Sequence, residues 1–212
     1  MKPVFFIWMV ALLCICCASK NDNPSGLPVY GVKLPIEKEV NGKTVIDSLD
    51  HIIPPFTFVN QDSSTVTEKT VEGKIYLADF FFTSCFTICP KVKKNMKKVY
   101  EVFKDRPDFV ILSHSIDTRH DTVGRLAWYA NKFDINSDTW HLLTGEKEAI
   151  YKIAYDYYIT ALESDDAPGG FDHSGAVVLL DRKRRIRGMY DGTDPERMEQ
   201  LIKDTQLLLD KE

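Results

Sequence analysis

Residues 74–90 read KIYLADFFFTSCFTICP. Lys74–Phe82 predicts a fully buried strand, because its end is apolar on both faces. Proline suits the first helical position, so a helix is expected to start at Cys89 or Pro90. Val92, Met96, Val99 and Phe103 then share one face of that helix, and Lys91, Lys94 and Lys98 another. Two thiols, Cys85 and Cys89, stand where strand meets helix. The chain has five cysteines, and the other three, Cys14, Cys16 and Cys17, lie within the first seventeen residues.

Outward from this unit, strands and helices alternate. FVILSHSID reads as a second buried strand, and DTVGRLAWYANKF as a helix capped by Asp121 or Thr122. WHLLTG is a strand and turn, and EKEAIYKIAYDYY a helix. HSGAVVLLDRKRRIRGMYDG reads as a strand hairpin, and DPERMEQLIKDTQLLLDKE as a closing amphipathic helix begun by Asp194 and Pro195. Upstream, Phe56–Val59 and Thr65–Thr67 are short strands. An Asn41-Gly42 turn within residues 18–50 predicts an added N-terminal hairpin. The order implies an α/β fold: a mixed central sheet with helices on both faces. A strand–helix–strand unit with thiols at its first junction resembles the thioredoxin-like fold.

The chain has 212 residues, 44% hydrophobic and 27% charged, with a formal net charge of −4. That suffices for one well-filled domain and gives no bias toward nucleic acid as a partner. Lys2 precedes the apolar run Pro3–Ser19, which is short for a spanning helix. A charged start, a short apolar core and small residues at its end make a secretory signal. The segment resembles a bacterial lipoprotein signal, with Cys17 as the lipidated residue because small Cys16 precedes it. An uncleaved N-terminal anchor is the alternative. Residues 1–17 are thus expected to be a signal segment, 18–50 a tether and extension, and 51–212 the domain. The domain is expected to be exported and held at a membrane surface.

Exported thiols form disulfides by default. A bridge between Cys85 and Cys89 would close so small a loop that it would restrict the unfolded chain little. A functional dithiol is the stronger reading. Residues four apart lie one helical turn apart on one face, so their sulfurs can close a disulfide or grip a soft ion. A helix N-terminus is expected to lower the thiol pKa.

Of the five histidines, His51 precedes the domain's first strand and His114 reads as a neutral core residue. His120 and His141 read as surface residues. His173 stands apart: it follows APGGFD, read as a flexible loop, and opens the strand SGAVVLLD. In a thioredoxin-like fold that loop faces the thiols, and reductases carry a cis-proline there. Here Asp172-His173 occupies the position. A ligand role and a plain structural role for His173 both stand on this reading. Two thiolates and an imidazole suit copper; structural zinc wants a fourth protein ligand, and none is apparent.

ADFFFTSCFTICP, SIDTRHDT, WHLLTG and DHSGAVVLLD, with Gly192 after the last strand, occur in the order found in the Sco/SenC family. The chain resembles that family over roughly residues 51–210. The resemblance implies copper held by Cys85, Cys89 and His173. It further implies delivery to the binuclear copper site of a respiratory oxidase subunit in the periplasm, or reduction of that subunit's cysteines. Some family members act mainly as thiol-disulfide oxidoreductases, which leaves a redox-active Cys85–Cys89 pair, served by a thiol reductant protein, as the second reading. Phe86 stands where the family usually has proline, and Thr118-Arg119-His120 where proline and acidic residues are common. Asp172, orienting His173, and Asp117, at a strand end, are candidate supporting residues; a solvated loop position and a turn role are their respective alternatives. A thiol peroxidase is disfavoured by the offset of Thr83 from Cys85. Arg182, Lys183, Arg184, Arg185 and Arg187 read as a solvated face or as a docking patch for an acidic partner.

Overall fold

A computed structural model describes residues 23–212 apart from Asn41, Asp165, Asp166, Pro168 and Gly169, and without the side chains of Asp172 and His173. The signal segment and Cys17 lie outside the described residues. A hairpin of β1 (Leu34–Val40) and β2 (Lys43–Leu49) comes first, paired antiparallel across Gly42 and almost wholly exposed. The main sheet begins with β3 (Thr57–Asn60) and β4 (Thr65–Thr67). A 3₁₀ turn, Glu68–Val71, follows, with Thr67 and Thr70 forming a capping box.

Next come β5 (Ile75–Phe81), α1 (Cys89–Phe103), β6 (Phe109–Ser115), α2 (Val123–Phe133), β7 (Trp140–Thr144) and α3 (Lys147–Asp156). A small hairpin of β8 (Ala161–Glu163) and β9 (Phe171–His173) precedes β10 (Ala176–Leu180), β11 (Ile186–Asp191) and α4 (Pro195–Lys211). APGGFD was expected to be a flexible loop. Its last residues instead pair as a strand, with Ala161 opposite His173. β8 and β9 have three residues each, too few to show a period in the sequence.

The seven-stranded sheet runs β11-β10-β5-β6-β7-β3-β4, with β5, β6 and β7 parallel and the rest antiparallel. It is the expected mixed sheet. Ile75, Leu77 and Phe81 of β5 face α1, α2 and α4, while Tyr76, Ala78 and Phe80 face α3 and the segment Ile53–Phe58. Both faces of β5 are therefore dry, as its continuous apolar run requires. Thr122, not Asp121, caps α2, accepting from the Arg125 amide.

Two of the five basic residues of the β10–β11 turn do not belong to a solvated patch: Arg185 and Arg187 are buried, whereas Lys183 is exposed. Both guanidinium groups meet Asp181, at 2.8 and 3.0 Å; Arg185 also reaches Asp50 and Arg187 reaches Glu212. Arg187 further donates to Asn23, to Ser25 and to the Leu27 and Pro28 carbonyls. Planar guanidinium can satisfy several oxygens at once where lysine cannot. One side chain thus ties the N-terminal segment to β11 and the C-terminus. Removing it leaves Asp181 with Arg185 as its remaining guanidinium partner and deprives Glu212 and the N-terminal acceptors of theirs, a loss of about 3 kcal/mol. Arg187→Met should lower the urea midpoint accordingly and expose residues 23–30 to limited proteolysis; an unchanged midpoint contradicts this account.

His114 is buried between the rings of Phe80, at 4.8 Å between centroids, and Phe58 and Tyr157. Burial drives its pKa down to about 3. The unfolded chain then takes up a proton below about pH 6.5 that the native state refuses, so acid favours unfolding. His114→Phe should gain on the wild type by about 1.4 kcal/mol per pH unit between about pH 6 and 4. Denaturant midpoints that keep a constant gap across that range would refute a neutral core histidine. His141 also differs from expectation: it is half-buried, meets Asn60 Nδ2 at 3.1 Å, and is held down to about pKa 4 by burial. His120 is exposed as expected.

Candidate functional site

Strand β5 delivers the chain to the thiols. Beyond Phe82 it turns sharply, with the Cys85 amide donating to the Phe82 carbonyl at 3.2 Å. Cys89 is the first residue of α1 and is 3% exposed, whereas Cys85 is half-buried. Both are present as thiols. They share a hydrogen bond, and the Cys85 sulfur also lies 3.6 Å from the Thr87 hydroxyl. Phe86 between them is 74% exposed.

The helix N-terminus was expected to favour thiolate. At Cys89 the opposite holds: its hydrogen bond to Cys85 and then its burial push the thiol pKa up. A backbone hydrogen bond at Phe82 and the charge of Lys93 act against this without prevailing. Desolvation of a charged sulfur outweighs the fractional positive charge of one helix end. The apo reduced pair is therefore proton-bearing at Cys89.

Asp121 fixes the loop that carries the thiols. Its carboxylate accepts from the Thr83 amide at 2.9 Å, the Thr83 hydroxyl at 2.5 Å and the Ser115 hydroxyl at 2.6 Å. Arg125 Nε donates to the same Thr83 hydroxyl. The carboxylate is 1% exposed, so every bond it accepts is made in a dry setting. Asp117 serves a different turn. It accepts from the His120 backbone amide and lies 2.9 Å from His120 Nδ1.

His173 is placed by its backbone. Two residues before it, the Phe171 ring packs on Phe82 with centroids 5.0 Å apart. Two residues after it, Gly175 lies against Ile88 and Val92, the residues flanking Cys89 and Pro90. Gly175 has φ +63°, and a Cβ there would come within 3.2 Å of the Ile88 side chain. Glycine is thus required both for the left-handed turn and for the close seat on α1. Gly192 completes the seat: its amide donates to the Gly175 carbonyl, while Asn95 Nδ2 donates to its own carbonyl. A Cβ on Gly192 would meet that Gly175 carbonyl oxygen at 2.7 Å. Strand β9 is in this way bracketed between the two ends of the thiol loop. The side chains of His173 and Asp172 lie outside the described residues. Among the described residues no group of three or more His, Cys, Asp or Glu is placed to hold a metal.

Two residues at this site were not singled out by the sequence. Asp121 looked like a helix cap, a commoner use of aspartate before a helix. Lys93 looked like one more of the lysines on α1, yet it is 2% exposed. A signal for it existed. Counting from Cys89 in steps of three and four gives Val92, Lys93 and Met96, so a cation interrupts the apolar stripe.

The model of the SCO1/SenC family matches residues 46–209. A SCO1/SenC family lipoprotein from Bacillus anthracis superposes with TM-score 0.68 at 30% identity, covering 74% of this chain and 95% of the other. BsSco, described as carrying a disulfide switch and as a member of the Sco family of cytochrome c oxidase assembly proteins, gives 0.65 at 27% identity over 76% and 94%. Arabidopsis thaliana ScoI with copper bound gives 0.61 at 25% identity over 73% and 98%.

If Asp121 holds the thiol loop, Asp121→Ala should lower stability by about 2–4 kcal/mol, through unpaired Thr83 and Ser115 donors. It should also accelerate alkylation of Cys85 in the reduced protein under native conditions. A variant that loses stability but alkylates at the wild-type rate would limit Asp121 to a general structural role.

Proposed function

The chain belongs to the SCO1/SenC family, and from that premise we propose that it is a copper carrier using Cys85, Cys89 and His173. The observation that carries the reading is the pair of hydrogen-bonded thiols at the head of α1, with the backbone of His173 bracketed against the same loop. Two soft sulfurs and an imidazole are a donor set suited to Cu(I). Only reduced Cys85 and Cys89 can serve, so holding copper and forming the disulfide exclude one another. The half-buried Cys85 gives access from outside, and the buried Cys89 gives retention. Copper here is cargo. The recipient we propose is the binuclear copper site of a respiratory oxidase subunit, reached by a domain tethered at the envelope membrane through Cys17. No helix of the described residues is long and apolar enough to cross a membrane.

The unequal exposure of the two sulfurs favours a second use of the same pair, reduction of the recipient's cysteines. Cys85, as thiolate, would attack a partner disulfide and release one partner thiolate, leaving a mixed disulfide. Cys89, losing its proton, would then attack the Cys85 sulfur and release the second. Two electrons pass to the partner, and Cys85–Cys89 becomes the disulfide, to be restored by a thiol reductant protein. Both uses agree with the copper-bound relative and with the relative carrying a disulfide switch.

Titrating the reduced full-length protein with Cu(I) should give one ion per chain, and none after oxidation. Cys85→Ser or Cys89→Ser should abolish uptake. His173→Ala should weaken it by roughly tenfold or more, the scale of one lost ligand contact, while leaving the thiol–disulfide exchange intact. No uptake by reduced wild type would sink the carrier reading and leave the oxidoreductase.

A further inference from the structure

Lys93 has no part in the function so far described, yet its burial is costly. It projects from α1 into the core formed with β5, α2 and β7, where an unpaired ammonium would lose several kcal/mol of hydration. Its Nζ lies 4.6 Å from the centroid of the Phe81 ring, 4.6 Å from that of Trp140 and 5.7 Å from that of Tyr129. Among the described residues it has no hydrogen-bond partner. Ring faces attract a cation, so these three side chains form a box suited to ammonium. Burial pulls the Lys93 pKa down, and Asp79, buried on the facing strand, is the carboxylate that supports the charge against it. It accepts from the Ser113 hydroxyl, which accepts in turn from Trp140 Nε1. Cys89 is the other group that draws on this charge, and it sits four residues earlier on the same face of α1. The box, the carboxylate and the thiol are thus three neighbours of one buried cation.

We propose that Lys93 is a positioning charge for the metal-bound dithiolate, favouring the ionised, copper-loaded pair over its neutral forms. This rests on the copper reading above. The disulfide carries no charge, and neither does the fully protonated dithiol. Cu(I) held by two thiolates carries one net negative charge, after two protons have left the thiols. A fixed cation behind Cys89 therefore acts on loading and hardly at all on the disulfide–dithiol balance. Asp79 contributes indirectly, by helping to keep that ammonium charged, and the aromatic box keeps the cation in place.

The test uses full-length reduced protein and a chromophoric Cu(I) chelator as competitor. Lys93→Met keeps the length and removes the charge; its Cu(I) affinity should fall by about tenfold or more, equivalent to at least one pKa-unit of interaction. Lys93→Arg keeps the positive charge; its affinity should stay within about threefold of wild type. The equilibrium constant for exchange with a glutathione redox buffer should stay within about twofold of wild type in both, because both of its states are neutral. Should Lys93→Met fail to fold, Lys93→Gln, equally uncharged, takes its place. Loss of affinity in both variants would mean damage to packing and overturn the proposal. So would wild-type affinity in both. If the wild type itself takes up no Cu(I), the copper reading fails and this inference with it; if only the variants behave as wild type, the copper reading survives.

Discussion

Every residue of β5 is buried, and that single requirement organises the molecule. A strand dry on both faces needs a neighbour on each edge and a cover above and below. Strands β6 and β10 supply the edges, one parallel and one antiparallel. Helices α1, α2 and α4 cover one face, and α3 with the Ile53–Phe58 segment the other. The strand ends at an apolar triplet, Phe80–Phe82, and the thiols follow at once. The reactive loop is therefore attached to a strand buried along its whole length, and Asp121 holds its first residue, Thr83. A dithiol placed there inherits its geometry from the core, which is how a small exposed site can be held without many contacts of its own.

Much of this was readable from residue order. The run Lys74–Phe82 marked the central strand, Pro90 marked the start of α1, and Asp194-Pro195 marked α4, because each signal is local. The β8–β9 hairpin was not readable: it has three residues per strand and is defined by pairing across positions 161 and 173. Periodicity needs more residues than that. The two buried arginines of the basic turn escape notice for a related reason. Five cations in six positions look like a solvated face, and only the fold shows that Asp181, Asp50 and Glu212 converge on Arg185 and Arg187. Complementary charges distant in sequence leave no local trace.

The site divides in the same way. Cys85, Cys89 and His173 stand out by residue type, since thiols and histidines are few here. Their supports do not. Asp121 has the identity of an ordinary cap, and Gly175 the identity of an ordinary turn glycine. What sets them apart is three-dimensional: a carboxylate sealed from water in one case, and a close approach of Ile88 in the other. The expectation of a thiol made acidic by a helix end failed for a comparable reason. Sequence locates the helix start but not the depth of burial, and at Cys89 burial and the Cys85 hydrogen bond decide the sign.

The Arg187 clamp also fixes where the domain is held. Register pairs Ile186 with Leu180 and Leu180 with Tyr76, so the clamp sits at the beginning of β5. The thiols sit beyond its end. Seven residues of strand separate the two poles, about 23 Å at the usual rise. A chain leading into Asn23 enters at one pole and the sulfurs leave at the other. The sheet acts as a spacer between the entry of the chain at Asn23 and the loop of Cys85. A rotation of the domain about Asn23 sweeps the sulfurs along an arc, so the reach of the site is set by the length of one strand.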